Sequence, residues 1–315
     1  MLFGLGGGLA SAALFYSAVR GSVGLSMLLF LLTPLPSLIA GLGWGLTAAI
    51  AAAISGTLIM AIAVSPVFAL GYALALGLPV AGITHLLFLA SYNSDGALRD
   101  WFPVGRVLAA IALYGAVLPV LMITLGGGSW SILEADFMRF LKQMTDRAPI
   151  GSSWRKFDES QMRDMARLWT QVMPAAVASY WTFFISLNVY LAARVARLSG
   201  LLVRPWPNFH WLSIPREMAI ALALAIAGIL MGGSARVIGI GALGALLVVF
   251  LLQGMSVVHA VGRARAPWIL YATYATLAVA GYIALPLTAL LGLIENVTRV
   301  RSRVVAAPEP LPPGS

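Results

Sequence analysis

Nine apolar runs, each long enough to cross a bilayer, follow one another along the 315 residues, and one substantial polar segment, at about residues 127–168, interrupts them. A helix needs about 20 mainly apolar residues to cross a hydrocarbon core of ~30 Å. The runs predict spans at about 1–18, 23–41, 46–64, 67–90, 107–125, 172–191, from just after Pro215, at about 237–260, and from Trp268 onward. The expected fold is therefore all-α: a polytopic transmembrane helical bundle of eight to ten spans, with an amphipathic helical insert and the lipid bilayer as its main partner. One domain covers residues 1–305, and the proline-rich end, 306–315, reads as a disordered tail.

Within the runs the pattern is not uniform. The first lacks a basic leader and reads as a retained helix despite a small-residue Ala10-Ser11-Ala12 site. Gly4, Gly8 and Ala12 recur at four-residue spacing, a face that packs closely inside the protein or docks a partner membrane subunit. Pro34 and Pro36 remove donors from the second run, giving either a kink or a broken helix beside a cavity. In the polar insert, Leu133, Phe137, Phe140, Leu141 and Met144 fall on one helical stripe. A second amphipathic helix is expected at about 158–169. Seven basic and six acidic residues nearly cancel across this insert, which suits a helix pair lying on the membrane or capping the bundle.

Composition agrees: 60% hydrophobic residues, 10% charged and a mean hydropathy of +0.92 exclude a soluble domain of this size. The absence of cysteine excludes disulfides, thiol catalysis and cysteine-based metal sites. The net charge of +9 lies mostly in loops beside the spans, where arginine sets topology, and does not imply nucleic acid. Placing the loops at 91–106, 192–216 and 261–267 in the cytoplasm puts the N-terminus inside and the insert outside. Nine full crossings would then leave Arg299, Arg301 and Arg303 outside, against the bias. Either the last run ends at Pro286, with an interfacial or re-entrant piece after it, or one early span does not cross fully.

No catalytic constellation is present: no phosphate loop, no His-Glu-x-x-His, no Gly-x-Ser-x-Gly. His85, His210 and His259 lie in separate segments, so no metal spacing exists and no cofactor is implied. The chain is expected not to be an enzyme. Gln253, Ser256 and His259 recur every three residues on one helix and should face inward, since lipid leaves their polar groups unpaired. With Tyr180, Asn188 and His85 they either line a pocket for a small molecule or serve as interhelical hydrogen bonds.

Leu252-Gln253-Gly254-Met255-Ser256-Val257-Val258-His259 resembles a glutamine–glycine signature of the YybS-like bacterial membrane proteins. So do Asn188 with Arg194-Val195-Ala196-Arg197, the stretch Trp211-Leu212-Ser213-Ile214-Pro215, and Gly292-Leu293-Ile294-Glu295 with Arg299, Arg301 and Arg303. Glu295 stands where that family more usually has aspartate. Through it the chain is similar to the substrate-binding components of energy-coupling-factor transporters. The resemblance implies a bacterial cytoplasmic-membrane protein that binds a small molecule and works with an energising subunit. The alternative is a scaffold of the envelope or division machinery, with the insert and basic loops as docking surfaces.

Overall fold

The computed structural model describes residues 1–21, 23–125, 128–147, 157–264 and 266–304. Eight apolar helical segments in it are long enough to cross a membrane. They are α1 (Leu2–Arg20), the pair α2 (Val23–Leu32) and α3 (Leu35–Trp44), α4 (Leu46–Ala63), and the pair α5 (Pro66–Tyr72) and α6 (Leu78–Phe88) joined through a π-helical turn at Ala73–Gly77. The others are α7 (Val104–Leu125), α9 (Glu159–Leu198), α11 (Gly233–Ala264) and α12 (Trp268–Thr298). The seventh apolar run becomes α10 (Glu217–Met231), whose 15 residues reach only about 22 Å and fall short of a full crossing. It pairs with α11 as a hairpin through Gly232 and Gly233, both at positive φ (79° and 56°), a conformation glycine adopts without strain.

At two proline breaks a side chain from a neighbouring helix covers the freed carbonyls. Pro79 has no N–H for the carbonyl of Ala75; the indole Nε1 of Trp181 donates to it instead, at 2.8 Å. Tyr114 donates to the adjacent Leu74 carbonyl at 2.7 Å. Where α2 ends ahead of Pro34, Asn188 donates to the Leu31 carbonyl at 2.8 Å. Lipid offers no donor for a stranded carbonyl, so these contacts fix how α7 and α9 sit against the broken helices.

The Gly4–Gly8–Ala12 face is buried within the chain, the internal-packing arrangement of the two the sequence allows. A Cβ on Gly4 would fall 2.3 Å from the Ala48 carbonyl oxygen of α4, and one on Gly8 would fall 2.3 Å from that of Ala52. The same device joins α11 to α12, where a Cβ on Gly254 would lie 1.9 Å from the Thr288 oxygen and one on Gly292 1.8 Å from that of Phe250. Both glycines belong to the signatures singled out in the sequence.

The insert begins with α8 (Trp130–Arg147), which packs on the first turns of α9 around buried Leu141, Met162 and Ala166. A capping box starts α9: Asp158 accepts from the Gln161 N–H, and Gln161 Oε1 accepts from the Asp158 N–H. The second amphipathic helix does not stop before the sixth span as expected. It continues into it as one 40-residue helix, about 60 Å long. Gly126 and Gly127 at the start of the insert, residues 148–156 within it and the tail at 306–315 lie outside the described residues.

Contacts sort the helix ends onto two poles. Phe3 stacks on Trp44 at 4.1 Å, and Gly43 faces Leu201 just past α9. Arg204 donates to the carbonyls of Leu87 and Phe102, tying the ends of α6 and α9 to the start of α7. The short antiparallel hairpin of β1 (Ala90–Tyr92) and β2 (Leu98–Trp101) joins α6 to α7 at this pole. The last helix returns here too. Trp268 follows the end of α11, while Arg301, in the short α13 (Val300–Val304), donates to Ser256 two turns before that end. A straight helix would carry Arg301 about 50 Å from Trp268. The bend is at Ala280 (φ −133°, ψ 45°), not at Pro286, which stays inside α12. Arg301 thereby shares a pole with the loops at 91–106 and 192–216.

Close backbone approach at the α11–α12 crossing predicts that Gly254→Val lowers the apparent Tm of the purified protein, by a loss of about 1–3 kcal/mol or more from overpacking. Gly82→Ala, where a Cβ meets nothing within 4 Å, should leave it unchanged or raise it.

Candidate functional site

The segment after α9 is held by two arginines. Arg204 is buried and bonded only to main-chain oxygens, with its guanidinium 5.6 Å from the Trp101 ring. Burial pulls its pKa down, yet an arginine starts so high that it keeps its charge. Arg301 makes the denser knot. It donates to the carbonyls of His210 at 2.5 Å and Leu212 at 3.1 Å and to Ser256 Oγ at 2.8 Å, and it pairs with Glu295 at 3.4 Å. Its own N–H donates to the other Glu295 oxygen at 2.8 Å, because Arg299 adopts a left-handed turn (φ 53°) that folds α13 back. Both members of the pair are at most 5% exposed. Asn296 donates to the carbonyls of Ile214 and Pro215 at 3.1 Å each. The 3-10 turn Phe209–Trp211 is thereby clamped between α11 and the end of α12.

Three openings surround this turn. A cavity of about 430 Å³ lies between α7, α9, α11 and α12, with Leu108, Phe183, Leu187, Tyr190, Trp206, Phe209, Leu252 and Tyr274 in its wall and Asn208, His210, His259 and Arg263 at one end. It shares Tyr190, His210, Arg263 and the stretch 206–209 with a groove of about 230 Å³ that adds Arg194 and Arg197. On the other side of the turn, a polar cleft of about 600 Å³ is bordered by Arg106, Arg216, Gln253, Glu295 and Asn296. The buried side-chain oxygens of Gln253 and Asn296 have no hydrogen-bond partner.

His259 and His210 stack with ring centroids 5.9 Å apart, and Phe209 and Tyr274 meet His259 edge-on. The Met255 carbonyl lies 2.8 Å from His259 Nδ1 and can only accept, so that nitrogen carries hydrogen; the Tyr274 hydroxyl lies 3.1 Å from Nε2. Partial burial, followed by the charges of Arg263 and His259, holds His210 below its usual pKa.

The six candidate pocket residues therefore divide. Gln253, Ser256 and His259 meet at the basic pole, although in different roles: Gln253 borders the polar cleft, Ser256 is locked by Arg301, and His259 lines the apolar cavity. Asn188 is fully buried, with its amide donating to Leu31 and Phe184, the interhelical role. Tyr180 stacks with Phe30 and Phe184 away from these openings. His85 is exposed on α6 and lines none of them. Trp206, Phe209 and His210 were not singled out as site residues, because nothing local in the sequence shows that their loop turns into the bundle. Among the described residues no three metal-ligating side chains cluster.

The eight long apolar segments, the buried charges confined to one end and the amphipathic insert define a multi-pass helical membrane protein. Residues 9–295 match the model of a family described as "Predicted membrane protein (DUF2232)", and the chain belongs to that family. No curated protein and no solved structure matches it.

The Glu295–Arg301 pair supplies a direct test of the clamp. Removing one partner of a buried pair strands the other, so Glu295→Ala should cost about 3–5 kcal/mol in a denaturation series. Raising salt on the native protein should cost far less, because a buried pair is poorly screened.

Proposed function

We propose that the protein is a non-catalytic binding or transport component of a bacterial cytoplasmic membrane, with its ligand seated in the 430 Å³ cavity at the basic pole. The carrying observation is that cavity itself: its volume and mainly apolar, aromatic wall with a few polar groups at one end are those of a small-molecule site. The positive-inside bias favours the cytoplasm as the compartment this pole faces. The chain's likeness to YybS-like proteins, and through them to the substrate-binding components of energy-coupling-factor transporters, supports a bound ligand. An energising partner subunit would then supply the work.

In this reading the clamp around Arg301 holds one wall of the site. Arg301 fixes the Phe209–Trp211 turn, and that turn places Phe209 and His210 against His259. Binding then needs little rearrangement of the loop, which limits its entropic cost.

A thermal-stability screen of the purified protein against metabolites and lipids tests the reading. A ligand present at 100 times its dissociation constant should add ~2.7 kcal/mol. Leu252→Trp, which fills the cavity, should abolish that gain while leaving the ligand-free protein folded. A broad screen in which no compound stabilises the native chain would contradict the proposal.

A further inference from the structure

One stripe of α9 changes character along its length. Phe183, Leu187, Tyr190, Arg194 and Arg197 follow at spacings of four, three, four and three residues and so lie on one helical face. Phe183, Leu187 and Tyr190 line the apolar cavity; Tyr190, Arg194 and Arg197 line the adjoining groove. The apolar part of the stripe covers about 10 Å and the basic part the next 10 Å toward the pole.

The surroundings repeat this polarity. Arg263 stands at the junction and borders both openings, while the linings of the two contain no carboxylate. Among the described residues Arg194, Arg197 and Arg263 have no ion-pair partner. Of the carboxylates at this pole, Glu295 pairs with Arg301 and Asp100 with Arg99, Asp95 accepts from its own turn, and Glu217 borders the polar cleft on the other side of the Phe209–Trp211 turn. Three unneutralised guanidiniums beside an apolar cavity present charge for one kind of headgroup only, an anion, and guanidinium geometry favours phosphate oxygens in particular. The side of the cavity toward lipid is bordered by Phe183 (42% exposed), Tyr190 (45%) and Tyr274 (50%), three rings on a membrane-spanning surface. A ligand can therefore enter sideways from the bilayer, tail first, without crossing water.

We infer that the cavity and groove form one site for a membrane-resident amphiphile with a single apolar chain and a phosphate headgroup, the chain lying along Phe183–Tyr190 and the phosphate held by Arg194, Arg197 and Arg263. The inference rests on the binding role proposed above and names the class of ligand. One chain is specified because about 430 Å³ lies at the small end of ligand cavities. Next to the bound phosphate His210 gains a counter-charge, so binding should raise its pKa. The other charged and titratable groups facing it are Arg263 and His259 from α11, Arg194, Arg197 and Tyr190 from α9, Tyr274 from α12, and Arg301 at its carbonyl.

The test uses the full chain in a neutral detergent with three probes: palmitoyl lysophosphatidic acid, monopalmitoylglycerol, and inorganic phosphate. Binding is read by native mass spectrometry and by the shift in Tm. Lysophosphatidic acid should bind at least tenfold more tightly than the neutral monoglyceride, and inorganic phosphate alone should give no shift. The exposed triple substitution Arg194→Gln, Arg197→Gln, Arg263→Gln should reduce the preference for lysophosphatidic acid to near unity. Leu252→Trp should weaken both lipids. Equal affinity for the two lipids, or a preference untouched by the triple substitution, overturns the phosphate assignment while leaving a ligand cavity in place. A response to inorganic phosphate alone that matches lysophosphatidic acid overturns the amphiphile. If no probe binds and no metabolite stabilises the native chain, the binding role itself falls.

Discussion

A carbonyl without a donor costs several kcal/mol in hydrocarbon, and this constraint organises the bundle. Regular helix is interrupted at Pro34, ahead of Pro79 and at Ala280, and at the first two a side chain from another helix reaches the freed oxygen: Asn188 at Leu31, Tyr114 and Trp181 at Leu74 and Ala75. At the basic pole the same task falls to Arg204, Asn296 and Arg301, which between them cover the carbonyls of Leu87, Phe102, His210, Leu212, Ile214 and Pro215. The polar residues that look most functional in an apolar sequence are thus partly occupied in holding backbone.

What those residues hold open is the candidate site. With the carbonyls of Asn208, Phe209, His210, Leu212, Ile214 and Pro215 taken up, the stretch from Trp206 to Pro215 can leave helical geometry and pack between α7, α9, α11 and α12. Its two faces then border different spaces, an apolar cavity beside Phe209 and His210 and a polar cleft beside Ser213 and Pro215. Small residues set the spacing of the walls. Gly105 lies so close to Ser213 that a Cβ would come 1.7 Å from its oxygen, and the Gly254–Gly292 contact brings α12 against α11. Lipid gives no hydrophobic drive for helices to associate, so such close van der Waals contact has to supply it.

Much of this was legible in the sequence. Apolar run length located the long helices, four-residue small-residue spacing marked the close-packing face of α1 without naming its neighbour, and arginine bias grouped the loops that share a pole. Three features were not. The break in α12 falls at Ala280, whose side chain carries no mark of it, while the visible proline at 286 is accommodated within the helix. The merger of the insert with the sixth span hides in residues 169–172, where amphipathic and apolar patterns meet with no capping signal between them. The cavity depends on the loop at 199–216 folding inward, and that is determined by Leu87, Phe102 and Ser256, which are remote in sequence. The stripe from Phe183 to Arg197 was readable in principle; its apolar half looks like any lipid-facing surface until the groove is seen beside it.

The claim on which the site most depends is that α12 doubles back, since only then can Arg301 clamp the Phe209–Trp211 turn. The chain has no cysteine, so single cysteines can be placed at Asp95, at Lys142 and at Arg303 and labelled in sealed vesicles with a membrane-impermeant maleimide. The account predicts that positions 95 and 303 react from one side and position 142 from the other. Reaction of 303 from the same side as 142 would mean that α12 crosses the bilayer, and would contradict it.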